Sequence, residues 1–377
     1  MKRLSGVVAV SLVAALFGGC ASASPPAPSG TSASNDTPSV ATPSAVRKKG
    51  SVRVVRTITT GLDVPWGMAV LPGGKALLLT QRNSGKVTRV DIASGRKVAV
   101  GRLPSVNTMS SGGEAGALGV ALSPHFATDR RVYFDYSTSV DNRIAWAVYR
   151  RGHKLGRLHV VLKGIPHGTI HNGGRIAFGP DGMLYVGTGE TGNQSLSQNR
   201  KSLGGKVLRL RPSGRAAPGN PFHNRVWTYG HRNVEGLAFD PAGRLWASEF
   251  GENELDELNL IRKGHDYGWP ATQGKTSNPK YTSPVAQWGT SDDSPSGIAW
   301  ADGAIWMAAL HGERLWRIPL NGAKLAAQPK AFLTGRFGRL RSVVAINAHT
   351  LVVATSNRDG RGSPSSADDR LILLRVR

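Results

Sequence analysis

Residues 179–189 read GPDGMLYVGTG, a proline–glycine turn running into a short apolar strand with small residues behind it. The same order returns as LPGGKALLLTQ at Leu71, SPHFATDRRVYFDYS at Ser123, DPAGRLWASEF at Asp240, WADGAIWMAAL at Trp300 and INAHTLVVATS at Ile346, at intervals of about 45–60 residues. A second alternating run follows most copies: KVTRVD at Lys86, KVLRLR at Lys206, ELNLI at Glu257 and RLWRIPL at Arg314. A repeat of this length made of strands and turns is the signature of a β-propeller, with one four-stranded blade per copy. A single blade cannot bury both of its faces, so the ring has to close. Six copies therefore predict an all-β chain folded as a six-bladed β-propeller. The first ordered run, SVRVVRTI at Ser51, and the last, RLILLRVR at Arg370, are both strand-like and are expected to meet in one blade. After the leader no helical period is sustained, and a β-helix or a pair of sandwiches fits the Gly-Asp turn repeat less well.

Upstream of the repeats the composition changes twice. Lys2 and Arg3 precede a mostly apolar run from Leu4 to Phe17 that is too short to span a bilayer, and Gly18 and Gly19 lead into Cys20. Residues 1–19 resemble a bacterial lipoprotein signal, which would make Cys20 the lipidated first residue of an exported protein held on the outer face of the cell membrane. Residues 20–51 are rich in Ser, Ala, Pro and Thr and cannot build a core; they are read as a flexible linker to a propeller domain at 52–377. With one cysteine in 377 residues, an intramolecular disulfide and a cysteine-based metal cage are both excluded. Lysine and arginine number 48 against 24 acidic residues, a net charge of +24 that suits nucleic acid, anionic lipid, an acidic wall polymer or an acidic small ligand. Nucleic acid is a poor fit, because the basic residues are scattered along the chain without aromatic clustering, and export argues against it.

Two motifs fail on their spacing. GWPATQGKT at Gly268 imitates a phosphate loop but carries an extra residue and Pro270. His167 and His171 are four apart, yet the glycines of GIPHGTIHNGG forbid the helix that would align them on a metal. What remains are polar residues in glycine-flanked loops between strands: Gly113-Glu114, His171 to Arg175, Gly230 to Asn233, Ser248 to Glu252 and Arg339 to Arg341. Loops entering the innermost strands of successive blades open on one end of the central channel. A histidine, a glutamate and the guanidiniums of Arg175, Arg232, Arg339 and Arg341 are thus expected on one face. Imidazole is a base near neutral pH, and guanidinium clamps carboxylates bidentately. Carbonyls near Gly251 suit a hard cation. Together they point to an anion-binding, metal-assisted site.

At these residues the sequence resembles the soluble quinoprotein glucose and aldose sugar dehydrogenases, related to the sorbosone dehydrogenases. The resemblance is carried by VPWGMAVLPGG, HNGGRIAFGPDGMLYVGTGE, LGGKVLRLRPSG with NPF, YGHRNVEGLAFDPAGRLWASEFGENELDELNLI, KGHDYGWP and RLRSV, and it covers most of residues 52–377. It implies a six-bladed propeller that binds pyrroloquinoline quinone (PQQ) and calcium and oxidises aldoses to lactones, passing electrons to an acceptor the sequence does not identify. By motif, His171 matches the general base, and Arg232 and Asn233 match residues contacting the cofactor. Arg339 and Arg341 match the pair on its carboxylates, and Glu114 stands where a cofactor-contacting glutamine is found. Gly251 and Glu252 match the calcium-ligating loop, with Glu252 in place of a proline. His311 replaces a cofactor-pairing lysine, so one anionic contact is expected to be either weakened or supplied by Arg314. The aromatic insertion of the glucose enzymes is missing, so no glucose preference is implied. Two other readings remain at this stage: a calcium-dependent lactonase, which would need more inward carboxylates, and a non-catalytic surface propeller binding acidic glycan.

Overall fold

All six sequence copies are the turns between the first and second strands of six antiparallel sheets. The computed structural model describes residues 48–108 and 111–377; the expected signal segment, Cys20 and most of the linker lie outside the described residues. The first strands of blades 1 to 6 are Pro65–Val70, Ala117–Leu122, Ile176–Phe178, Asn233–Phe239, Pro295–Ala301 and Leu340–Asn347. Each touches the corresponding strand of the blade before and after it, and the sixth touches the first, so these six line the channel and the ring is closed. Two inner strands show how closely the chains approach. A β-carbon on Gly119 would stand 2.2 Å from the carbonyl oxygen of Gly174, and one on Gly67 would stand 2.6 Å from that of Leu118. Only glycine fits there.

Closure is made by the chain ends, as expected. The sixth sheet runs Val52–Thr59, Leu371–Val376, Thr350–Thr355, Leu340–Asn347, so its outermost strand comes from the start of the folded chain and its other three from the end. The pairing registers Val52 with Val376 and Thr59 with Leu371.

The core is divided. Six apolar clusters fill the six gaps between neighbouring blades, one in each, including the gap between blades 6 and 1 where Ile58, Leu77, Leu79, Val352 and Leu371 meet. Second strands such as Ala76–Gln81 and Ala304–Ala309 are buried on both faces, the latter reading as an unbroken apolar run and the former as one up to Leu79. Each fully buried large side chain, Trp306 and Leu78 among them, contributes about 1.5–3 kcal/mol. The helices among the described residues are single turns, Phe126–Asp129 and Ser195–Gln198. Antiparallel pairing places two sets of connections at one end of every sheet: those entering the first strand and those between the second and third. That end carries the candidate site.

Candidate active site

His171 sits in the loop that enters the innermost strand of blade 3, with φ +52°, a left-handed conformation uncommon outside glycine. Two contacts hold it. Its N–H donates to Glu114 Oε2 at 2.8 Å, and its ring Nδ1 pairs closely with Glu190 Oε1. The imidazole is 12% exposed and the Glu190 side chain 1%. A carboxylate only accepts, so Nδ1 carries the hydrogen and Nε2 is left as the basic position. Glu190 lies in the connection after the second strand of blade 3, and nothing in the sequence repeat gave it a role. Its position at the end of HNGGRIAFGPDGMLYVGTGE, one acid closing a motif that opens with a histidine, is the signal that could have found it.

The connection from Glu190 to Lys206 is fixed from beneath. Lys206 Nζ donates to the carbonyls of Leu196, Ser197 and Gly204 at 2.6, 2.9 and 2.6 Å in a buried pocket. Burial pulls its ammonium down to about 7. Three acceptors require three hydrogens, which only the ammonium has.

Blade 4 supplies the next pair. Arg232 N–H donates to Glu249 Oε1 at 2.6 Å, and the guanidinium lies over the Trp269 ring at 5.4 Å. Burial lowers its pKa, opposed by Glu190, Glu252 and Glu114 nearby. Asn233 is buried and accepts the Gly173 N–H at 2.9 Å, tying blade 4 to the His171 loop. The neighbouring His231 is spent on structure: it is fully buried, bonded to Glu249 at 2.7 Å and to Thr228 at 2.8 Å, and stacked on Tyr267.

Next to these groups lies a cavity of about 250 Å³ walled by Glu114, Glu235, Phe250, His311, Arg339, Arg341 and Arg361, among others. A larger hollow of about 700 Å³ opens at the outer strands of blades 2 and 3 beside Trp146 and Met183, but it holds none of the loop residues. The cavity is a mesh of opposite charges. Arg339 pairs with Asp359 at 3.0 Å, and Arg341 with Glu235 at 2.6 Å and with Asp359 at 3.5 Å. Arg175 donates to the Glu235 carbonyl at 2.7 Å and lies 4.2 Å over Trp66, and burial lowers it to about 9. Arg361 binds Glu114 Oε1 at 2.7 Å while remaining 44% exposed. Burial alone would raise the Glu114 carboxyl, but the Arg361 guanidinium and the His171 N–H outweigh it and bring it below the usual value.

The expected residues therefore gather, with one correction. Glu114, His311, Arg339 and Arg341 share the cavity wall; His171, Arg232 and Asn233 adjoin it through the bonds above. Gly251 follows Phe250 at the rim, its N–H donating to Asp256 at 2.8 Å, and burial raises the Asp256 carboxyl to about 6. Glu252 is exposed, with its N–H on Gln273 at 2.8 Å. Arg314 is not the substitute cation: its Nε is drawn to the Gly312 carbonyl at 2.7 Å and its Nη1 lies 3.6 Å from Asp292, off the cavity wall. The extra cation on the wall is Arg361, while the buried Arg82 donates to the Asp359 carbonyl at 3.3 Å. Arg232 Nε, Arg341 Nε and Glu190 Oε2 are buried without a hydrogen-bond partner. Orphaned guanidinium N–H groups in such a place fit a ligand rich in anionic oxygen.

An oriented imidazole–carboxylate pair beside an arginine-walled cavity, at the channel mouth of a propeller, is an arrangement that can hold an anionic small molecule next to a basic nitrogen. Residues 62–373 match the glucose/sorbosone dehydrogenase family, and the chain belongs to that family of oxidoreductases. Among solved structures it is similar to the PQQ-bound aldose sugar dehydrogenase of Streptomyces coelicolor, 54% identical, with a TM-score of 0.86 over 88% of this chain and 100% of that one. Among curated proteins it is 30% identical to aldose sugar dehydrogenase YliI of Escherichia coli, over 81% of this chain and 91% of that one. It is also 30% identical to quinoprotein glucose dehydrogenase B of Acinetobacter calcoaceticus, over 60% of this chain and 54% of that protein.

Proposed function

We propose that this chain oxidises an aldose at its anomeric carbon to the lactone with PQQ as the bound electron acceptor, and that His171 Nε2 takes the anomeric hydroxyl proton. The observation that carries this reading is the Nδ1 contact with buried Glu190, which leaves Nε2 as the free base and places a counter-charge behind it. The cavity chemistry fits the cofactor: PQQ is a polycarboxylate, and Arg339, Arg341 and Arg361, with the unpartnered Nε of Arg341, are donors for its carboxylates. PQQ, when bound, supplies the two-electron acceptor carbonyl. Arg232 and Asn233 of blade 4 would hold that carbonyl, and the unpartnered Arg232 Nε is the donor that would polarise it. His311 is a wall residue too, with only a long 3.4 Å contact to the Thr290 carbonyl, so its ring is available to the ligand.

Calcium fits differently. No group of three or more His, Cys, Asp or Glu is arranged for a metal among the described residues, so a cation here would be held by backbone oxygens of Gly251 and Glu252 with oxygens of the cofactor. The leader and linker support export and attachment through lipid on Cys20.

Reconstitution tests the chemistry. Purified protein is loaded with PQQ and calcium and offered a panel of aldoses with an artificial dye acceptor. Dye reduction that needs both PQQ and sugar is expected. No reduction with any aldose, at PQQ saturation confirmed by absorbance, would end this reading.

A further inference from the structure

The connections at the opposite end of the sheets from the site carry a different charge pattern. Each blade there presents an exposed basic residue at or beside the link between its third and fourth strands: Arg96, Arg151, Arg215, Lys263, Lys324 and Arg377 in blades 1 to 6. In the sixth blade that link is the meeting of the chain ends, where Lys48 and Lys49 are exposed as well. None of the six side chains enters an ion pair in the fold. No glutamate stands on any connection at this end among the described residues. Its aspartates are engaged by ion pairs or hydrogen bonds: Asp181 with Arg209 at 2.7 Å, Asp240 with Arg244 at 2.6 Å, Asp302 with His349 at 3.5 Å, Asp91 with Arg89 at 3.9 Å, and Asp129 with the Ser123 hydroxyl at 2.6 Å and the Arg131 N–H at 2.9 Å. At the mouth the arginines are instead met by Glu114, Glu235 and Asp359. Basic residues scattered in the sequence are thus gathered in space, and most of the unbalanced positive charge of the described residues lies away from the cavity.

We infer that this end of the propeller docks on an anionic phospholipid surface, with the channel mouth turned away from it. Three observations select a surface. The charges ring the periphery, one per blade, and do not line a groove that would follow a linear polymer. Among the described residues Val55, Val140 and Val160 are the exposed large apolar ones, none on these connections, so attraction by this end is electrostatic and reversible with nothing inserted. The segment before Lys48, which carries the lipidation signal, joins the folded part at this same end. Docking rests on the membrane-anchored reading for its biological setting, while the charge pattern stands without it.

The test separates the two. Full-length protein with Cys20→Ser, which cannot be acylated, is mixed with sedimentable vesicles of phosphatidylcholine alone or of equal parts phosphatidylglycerol and phosphatidylcholine. Binding is expected to the anionic vesicles only and to vanish in about 1 M salt, where the screening length is about 3 Å. A triple variant Arg96→Glu, Arg151→Glu, Arg215→Glu should lose roughly a hundred-fold or more in partitioning, since each basic residue near such a surface is worth about five-fold. A variant of equal net charge on the mouth side, Lys86→Glu, Lys201→Glu, Arg336→Glu, should lose little. Equal loss in both variants, no binding to anionic vesicles, or binding to a soluble wall polyanion in preference to vesicles would each overturn the inference. Mass analysis of Cys20 in the natural protein reports separately on the anchor.

Discussion

Replacing Glu190 by glutamine removes one charge from the site and nothing from its shape. Under the proposed mechanism, the proton taken by His171 would create an imidazolium against a carboxylate that is 1% exposed. Unit charges about 4 Å apart interact by about 4 kcal/mol at an effective dielectric of about 20 and by about 1 kcal/mol in water. With the imidazole 12% exposed, an intermediate loss of about 2–3 kcal/mol is expected, and kcat falls by roughly 30- to 150-fold. The glutamine oxygen still accepts from Nδ1, so folding and PQQ affinity stay near native. The assay is dye reduction at saturating PQQ, calcium and sugar, read beside a PQQ absorbance titration and a thermal melt. Glu190→Asp, which keeps the charge and shortens the reach, should fall between the two. A Glu190→Gln enzyme within about threefold of native kcat, or one whose whole defect is weaker PQQ binding, would refute the argument that Glu190 acts through the His171 ring.

Arg361→Ala should weaken PQQ binding about tenfold with little change in melting temperature, because the side chain is 44% exposed and its lost ion pair is partly solvated; an unchanged titration would remove it from the clamp. Lys206→Met leaves three buried carbonyls without a donor and should cost about 2–4 kcal/mol, seen as a drop in melting temperature of roughly 3–6 °C. Glu114 titrates below its unfolded value, so its contribution to stability is present above the ordinary carboxylate range and is lost as pH falls through the lowered value. Melts of Glu114→Gln should accordingly lie below native near pH 7 and converge on it below about pH 4.

The ring was legible because each blade repeats the same local event, a tight turn feeding an apolar strand, and local events are written in adjacent residues. Even the shared blade could be anticipated, since strands at both ends of a closed repeat have only each other as partners. Loop residues such as His171 and Arg341 were found by their offset from that repeat and by resemblance to a known family. Glu190 and Arg361 were missed for opposite reasons. Glu190 was in view, but its partner lies on a different connection of the same blade, and no periodicity links the two. Arg361 stands in the long connection between Thr350–Thr355 and Leu371–Val376, outside any repeat, and reaches Glu114 only because the ring has closed. Of the two expectations for the replaced lysine, a weakened contact or a substitute from Arg314, the second is not met: a carbonyl two residues away captures the Arg314 side chain.

The sixth blade also sets the order in which the molecule can be finished. Val52–Thr59 leaves the ribosome, or a translocation pore, before every other strand, yet its hydrogen-bonding neighbour is Leu371–Val376, the last to emerge. For nearly the whole of synthesis that strand is an unpaired edge. Blades 1 to 5 have complete sets of strands as they appear, but the apolar slabs on both sides of blade 6 cannot be sealed until the final residues arrive. Nascent chains stalled a dozen residues short should therefore remain protease-sensitive at Val52–Thr59, and acquire resistance along the entire ring in a single step on release.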